Sequence, residues 1–368
     1  MRTRILRWLD ERLSAPQRQF EWLGREDYAH HPSISVHSFG QTETIVHPAP
    51  QFEGELLDEY ANHPQQRTFS APFVLTIKNG QIWGHHALVT TADKRVILES
   101  LHNHLPYMDW VSSGRVHYPK TVGGAWRQIA HTAQYDSVFV LANLFENAYY
   151  HWVLESLPRL WLYQQLGESI PLLVSQPLPN FAQVMLDALG IDNVQMWDAT
   201  RGVANTLYMP MSLYGTGIPA PRILKQMRQQ VMEAFAPLPT VNKPRIYISR
   251  AHARKRRVVN EADLVPLLND YGFEMVYLEN LSIPEQIALF AQAEVVIGAH
   301  GAGFANLIYS DTVTVLEFFE PSYINTCFYR LANGMGFPYG YLLAESDGVN
   351  MRVEVDALRA MLVQMEIR

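Results

Sequence analysis

One cysteine, Cys327, in 368 residues leaves no partner for an internal disulfide and excludes a zinc site built on several thiolates. Positive charge is also short. Twenty-nine Lys and Arg against 36 Asp and Glu give a formal net charge of −7, so no global basic field draws the chain to nucleic acid. No apolar run approaches the ~20 residues of a membrane span. The opening MRTRILRWLDERLSAPQRQF carries arginines without the apolar core of a signal peptide. These absences set the expectation of a cytoplasmic chain that handles anionic ligands locally. Within the opening stretch Ile5, Leu6, Trp8, Leu9 and Leu13 recur at helical spacing, a pattern for packing on its own domain or, alternatively, for peripheral docking on the inner face of the membrane.

What is present is enough to fold. Hydrophobic residues make up 48% of the chain and charged ones 18%, and the length exceeds one average core, so two domains are expected. From Ile34 to about Leu101 the sequence reads as strands and turns, with Asn79-Gly80 as hairpin punctuation, which implies antiparallel structure. SVFVLANL (137–144) suits a buried parallel strand, and a helix over 148–166 follows; PLLVS, a helix over 181–189 and VQMWD repeat the alternation. After a helix over 221–235, the linker-like APLPTVNKP places a domain boundary at 236. Over 237–350, RIYIS, EADLVPLLNDY, FEMVYLE, SIPEQIALFAQA, EVVIG, AGFANLIYS, TVTVLEFF and YGYLLAE alternate strand and helix, the pattern of a parallel sheet in a Rossmann-like domain. A last amphipathic helix in 351–368 is expected to pack back on the N-terminal domain, 1–236. The fold class is α/β.

Two groups of residues carry chemistry. In VVIGAHGAGFAN, Gly298, Gly301 and Gly303 fall at the carboxyl end of a strand, where open parallel sheets bind ligands; a helix starting near Ala302 offers unpaired N–H groups to a phosphate. A dinucleotide fingerprint is disfavoured, because Asn306 stands where glycine or alanine is wanted. Ser249 and Arg250 end the first strand of the same half, and Arg254, Lys255, Arg256 and Arg257 follow, so guanidinium groups are available to a diphosphate. Glu317, at the end of the next strand, suits acceptance from a ribose or base. In NAYYHWVLESLPRL, His151 and Glu155 share a helix face, and either can take a proton from an attacking hydroxyl; Glu155 is chosen as base and His151 as orienter. The remaining histidine clusters, His85-His86 and His102 with His104, and the tryptophans Trp110, Trp126 and Trp152 read as structural or acceptor-side.

The run from RIYISRAHARKRRVVNE through AQAEVVIGAHGAGFANLIYS to TVTVLEFFEP, with YYHWVLE upstream, resembles the family 61 glycosyltransferases over roughly 148–341. The resemblance implies a GT-B architecture of two facing Rossmann-like domains, here with extra antiparallel strands in the N-terminal part. It also implies an inverting, metal-independent transfer from a nucleotide sugar, with UDP favoured, to a hydroxyl of a glycan or glycolipid precursor. No cofactor is expected. By position it matches Arg250 and Arg256 to the family's basic residues, with Arg257 as the alternative to Arg256. It matches His300, Gly301 and Gly303 to the glycine turn, Asn306 and Glu317 to the positions after it, and His151 with Glu155 to a histidine followed by an acidic residue. Two other readings fit the same residues: a nucleotide-sugar epimerase or hydrolase of this fold, and a non-catalytic nucleotide-binding protein.

Overall fold

The structure, a computed structural model, describes residues 22–46, 48–52, 57–61, 66–84, 87–101, 132–142, 147–167, 169–198, 201–211, 220–240 and 244–368. The amphipathic opening stretch, His85, His86, His102, His104, Trp110 and Trp126 lie outside the described residues. The chain is mixed α/β and divides into two compact units, one of residues 1–40, 71–186 and 190–215, the other of residues 41–70, 187–189 and 216–368.

The first unit holds a nine-stranded mixed sheet. Its order is Trp22–Leu23, Val96–Ile97, Leu88–Thr90, Phe73–Trp83, Arg201–Pro210, Thr132–Val140, Leu172–Ser175 and Val194–Trp197, with Ile34–Ser38 also paired to Phe73–Trp83. The expected antiparallel strands are present, but Asn79-Gly80 is not their turn: Phe73–Trp83 runs unbroken through both residues. Gly80 is there for close approach, since a Cβ would stand 2.7 Å from the Leu207 Cβ of the neighbouring strand. The chain reverses after Gly84 instead, where the Ala87 N–H donates to the Gly84 carbonyl at 3.1 Å. Arg201–Pro210, to which the sequence reading assigns no element, is a ten-residue strand pairing antiparallel with Phe73–Trp83 and parallel with Thr132–Val140.

The second unit is built on a six-stranded, wholly parallel sheet in the order Glu274–Val276, Arg245–Ile248, Val295–Ala299, Thr314–Phe319, Tyr339–Leu343 and Gln51–Phe52. Counted from Arg245 the first five strands run 2-1-3-4-5, so the winding reverses between the strands Arg245–Ile248 and Val295–Ala299. Alternation sorts the faces. Val295, Ile297, Ala299, Leu316 and Phe318 point into a core with the helices Glu261–Asp270 and Val355–Gln364.

Two expectations about boundaries change here. The last helix packs on this unit's own core through Leu358, Met361 and Leu362, each fully buried and worth about 2 kcal/mol. The helix Pro221–Ala234 also belongs to this unit; Arg228 on it donates to the Tyr309 carbonyl at 3.2 Å and pairs with Asp311 at 3.4 Å. Most unexpected from sequence is the segment 41–70. Besides the edge strand Gln51–Phe52, it supplies Tyr60, whose ring stacks flat on Tyr341 (4.5 Å, 4°) and edge-on to Tyr329 (5.1 Å).

Candidate functional site

The winding reverses between Arg245–Ile248 and Val295–Ala299, the position at which open parallel sheets bind ligands, and Ser249, Arg250 and the glycine turn lie at the carboxyl ends of these two strands. Ser249 is buried and structural: its hydroxyl donates to Glu261 at 2.9 Å and accepts from the Ala251 N–H at 3.2 Å, which holds the start of the basic loop. Arg250 follows it and lies on the glycine turn. A Cβ at Gly301 would stand 2.0 Å from Arg250 Nη1, so a side chain there would displace the guanidinium, while the extended backbone (φ 178°) is open to any residue. Gly298 does require it by conformation, with φ 155° and a Cβ position 2.8 Å from the Ile248 carbonyl oxygen. A Cβ at Gly303 would meet the tip of Leu278 at 2.6 Å, which draws the turn against that side chain.

Burial, and then the charge of Arg256, lower the Arg250 guanidinium from 12.5 to about 10. That shift also identifies Arg256, of the two adjacent arginines, as the one beside Arg250. Arg256 adopts a left-handed backbone (φ 59°), donates its N–H to the Val349 carbonyl at 2.7 Å, and sets its guanidinium 4.8 Å over the ring of Tyr323. Arg257 is exposed, and its backbone N–H is bonded to Asn350 at 3.1 Å. Among the described residues neither Arg250 nor Arg256 makes an ion pair, and the Nε of each is buried without a hydrogen-bond partner. Two cations held together without a carboxylate clamp are suited to an anion.

The turn after the strand differs from expectation in two ways. Ala302–Tyr309 is an eight-residue 3-10 helix rather than an α-helix, with exposed Ala302 at its start. Asn306 is fully buried and donates to Gln286 Oε1 at 3.1 Å, so it ties this helix to Ile283–Gln292. His300, 5% exposed, sits among Phe319, Tyr323 and Phe328 with its Nδ1 against Glu317 Oε1. Glu317 is fully buried and its Oε2 accepts from the Tyr339 hydroxyl at 2.6 Å. Both oxygens are engaged inside the unit, which replaces the ribose contact expected of Glu317 with a hold on His300.

In the first unit, His151 and Glu155 lie on one helix that starts at Tyr149 and ends at Gln165, with a π-helical turn over Trp152–Ser156. Such turns recur at functional sites, because the extra residue re-aims the side chains around it. His151 is half-buried, Glu155 is buried, and their Nδ1 and Oε1 stand 2.9 Å apart. Glu155 Oε2 is buried with no hydrogen-bond partner among the described residues. A carboxylate oxygen left without a donor retains the capacity to accept a proton. Trp152 is core: fully buried, it directs its indole N–H to Met185 at 3.2 Å.

Three site neighbours escaped the sequence. Tyr323 had a usable signal, an aromatic in a polar Glu-Pro-Ser loop beyond a strand's carboxyl end; Tyr339 and Tyr60 had none, because their roles depend on pairing far apart in the chain.

Comparison with known proteins gives one finding. Residues 149–316 match the model of the family described as Glycosyltransferase 61, a stretch that contains His151, Glu155, Arg250, Arg256 and the glycine turn and stops one residue before Glu317. No curated protein matches the chain.

Proposed function

We propose that this chain, a glycosyltransferase by the match of residues 149–316 to the glycosyltransferase 61 family, transfers a sugar from a UDP-sugar to a hydroxyl of a glycan or glycolipid precursor, with inversion and without a metal ion. The observation that carries this reading is the Arg250 guanidinium, seated on Gly301 at the winding reversal of a parallel sheet with the charge of Arg256 beside it. In that reading the second unit binds the donor, and the two cations neutralise the diphosphate as the bond to the sugar breaks. They supply the positive charge that a divalent ion would otherwise bring. His300 donates to the diphosphate or the sugar.

The first unit is assigned the acceptor, in a GT-B arrangement. Glu155 takes the proton of the acceptor hydroxyl as its oxygen attacks the anomeric carbon opposite the leaving diphosphate, and His151 holds the carboxylate in place. Attack opposite the leaving group inverts the anomeric configuration. The family assignment stands against the epimerase, hydrolase and non-catalytic alternatives. The proposed setting is the cytoplasm, with peripheral docking on the inner face of the membrane as the alternative use of the amphipathic spacing of Ile5 to Leu13. Among the described residues no helix is long and apolar enough to cross a membrane.

The test is calorimetry and thermal shift with UDP, GDP, CMP, NAD and their sugar conjugates, with and without EDTA. Tight binding of UDP that EDTA leaves unchanged is the expected result. Binding of NAD alone, or of none of these, overturns the donor reading.

A further inference from the structure

Behind His300 runs a buried line of polar groups that the family match does not reach: Glu317, Tyr339 and Tyr60 all fall outside residues 149–316. Resting on the donor reading above, we infer that these three are positioning residues, which hold the His300 imidazole with Nδ1 turned into the unit and make Nε2 the nitrogen that meets the nucleotide-sugar diphosphate.

The direction of the line follows from its hydrogen-bond inventory. Burial, and then the neighbouring Glu317 charge, push the Tyr339 hydroxyl well above its ordinary range, so it keeps its proton and is a donor. Its one proton goes to Glu317 Oε2 at 2.6 Å. Tyr60, pushed up by burial and by the same carboxylate, stands 3.0 Å from the Tyr339 oxygen and donates to it. Protons therefore point one way, from Tyr60 to Tyr339 to Glu317. A carboxylate only accepts, so the nitrogen against Oε1 is a protonated Nδ1.

The ring has little freedom to choose otherwise. Phe319 stacks on it at 5.4 Å, and Phe328 and Tyr323 flank it at 5.2 and 5.6 Å, none of which offers a ring nitrogen a comparable partner within the cage. Tyr323 links the histidine to the basic pair, since the same ring lies under the Arg256 guanidinium. Tyr323 is itself 45% exposed, on a loop braced where Glu320 accepts from the Ser322 N–H at 3.1 Å and from the Ser346 hydroxyl at 2.8 Å. His300 thus combines a fixed inner nitrogen with a place on the diphosphate rim, and the N-terminal segment 41–70 supports it through Tyr60.

Histidine ring-nitrogen NMR on the full chain tests this, with His300→Gln assigning the signal and UDP as the probe. The wild type is expected to show one His300 form with Nδ1 protonated, and Nε2 is expected to carry a proton when UDP is bound, as donation to a diphosphate oxygen requires. Tyr339→Phe keeps the ring and removes one hydroxyl; it is expected to move the Nδ1 signal and weaken UDP binding by roughly 3- to 10-fold. Tyr60→Phe, one bond further away, is expected to produce a smaller change in the same sense. Unchanged His300 signals in Tyr339→Phe overturn the proposal, as does a wild type with Nδ1 unprotonated, or UDP binding to which Nε2 does not respond. If no nucleoside diphosphate binds, the donor reading fails and the role of Nε2 with it, a result told apart from failure of the line by the spectra without nucleotide.

Discussion

Gly301 shows how much a single missing side chain can decide. The Arg250 guanidinium occupies the place of its absent Cβ, at 2.0 Å, while the backbone there is extended and open to any residue. Gly301→Ala should therefore fold normally, displace the guanidinium, and weaken UDP binding; a calorimetric affinity equal to wild type would show that Arg250 binds from elsewhere. Arg250→Ala removes the charge itself and should weaken UDP by roughly 10- to 100-fold, the worth of a charge-assisted hydrogen bond. Glu155→Gln should leave that affinity intact and lower transfer by about 10²- to 10⁴-fold, as loss of a general base does; normal transfer would reassign the base. At this scale the sequence shows which residues stand near strand ends more readily than what each one touches. Arg250, Arg256, His300 and Gly301 come together because each sits at the end of a strand or beside one. Glu317, in a strand, and Asn306, in the 3-10 helix, both turn into the unit, and burial is not written locally.

Elements were legible where periodicity was long and capped. The helix Ile283–Gln292 begins with a capping box, in which Ser282 Oγ accepts from the Glu285 N–H at 3.4 Å and Glu285 returns a bond to the Ser282 N–H at 2.7 Å. Its apolar face then buries Ile287, Leu289 and Phe290. Ser282→Ala should lower the unfolding free energy by about 1 kcal/mol, read from the denaturant midpoint, without altering UDP affinity. Elements whose identity depends on a neighbour were harder to read. Asn79-Gly80 has turn chemistry, yet the strand continues because Leu207 needs the space a side chain would fill. The π-helical turn at Trp152–Ser156 lies inside a sequence that simply reads as helix, and the register change it introduces is what brackets Glu155.

Across the whole molecule, the binding pair carries an unfavourable charge arrangement when alone. Burial and mutual repulsion oppose the charge on Arg250, so an anion placed between the two guanidinium groups relieves an existing cost. Pyrophosphate or UDP should raise the melting temperature, by the equivalent of about 2.7 kcal/mol at a hundred times the dissociation constant. At the same ligand concentration that gain should fall to about 0.4–1.4 kcal/mol in Arg250→Ala; an equal shift in the variant would place the anion elsewhere. The division of the chain was the least legible feature. Composition marks a linker near 236, but the second unit also draws on residues 41–70, and nothing in that stretch reads as part of a parallel sheet.

That borrowed segment also constrains when the second unit can be finished. Tyr60 and Tyr339 are 279 residues apart, and closing a loop of that length costs about 5 kcal/mol of chain entropy before the contact returns anything. On a growing chain the edge strand and its tyrosine emerge early and wait for nearly everything else to be made. Their docking is then the slow, late step of folding, and the histidine becomes properly seated only once the oldest part of the chain has come home.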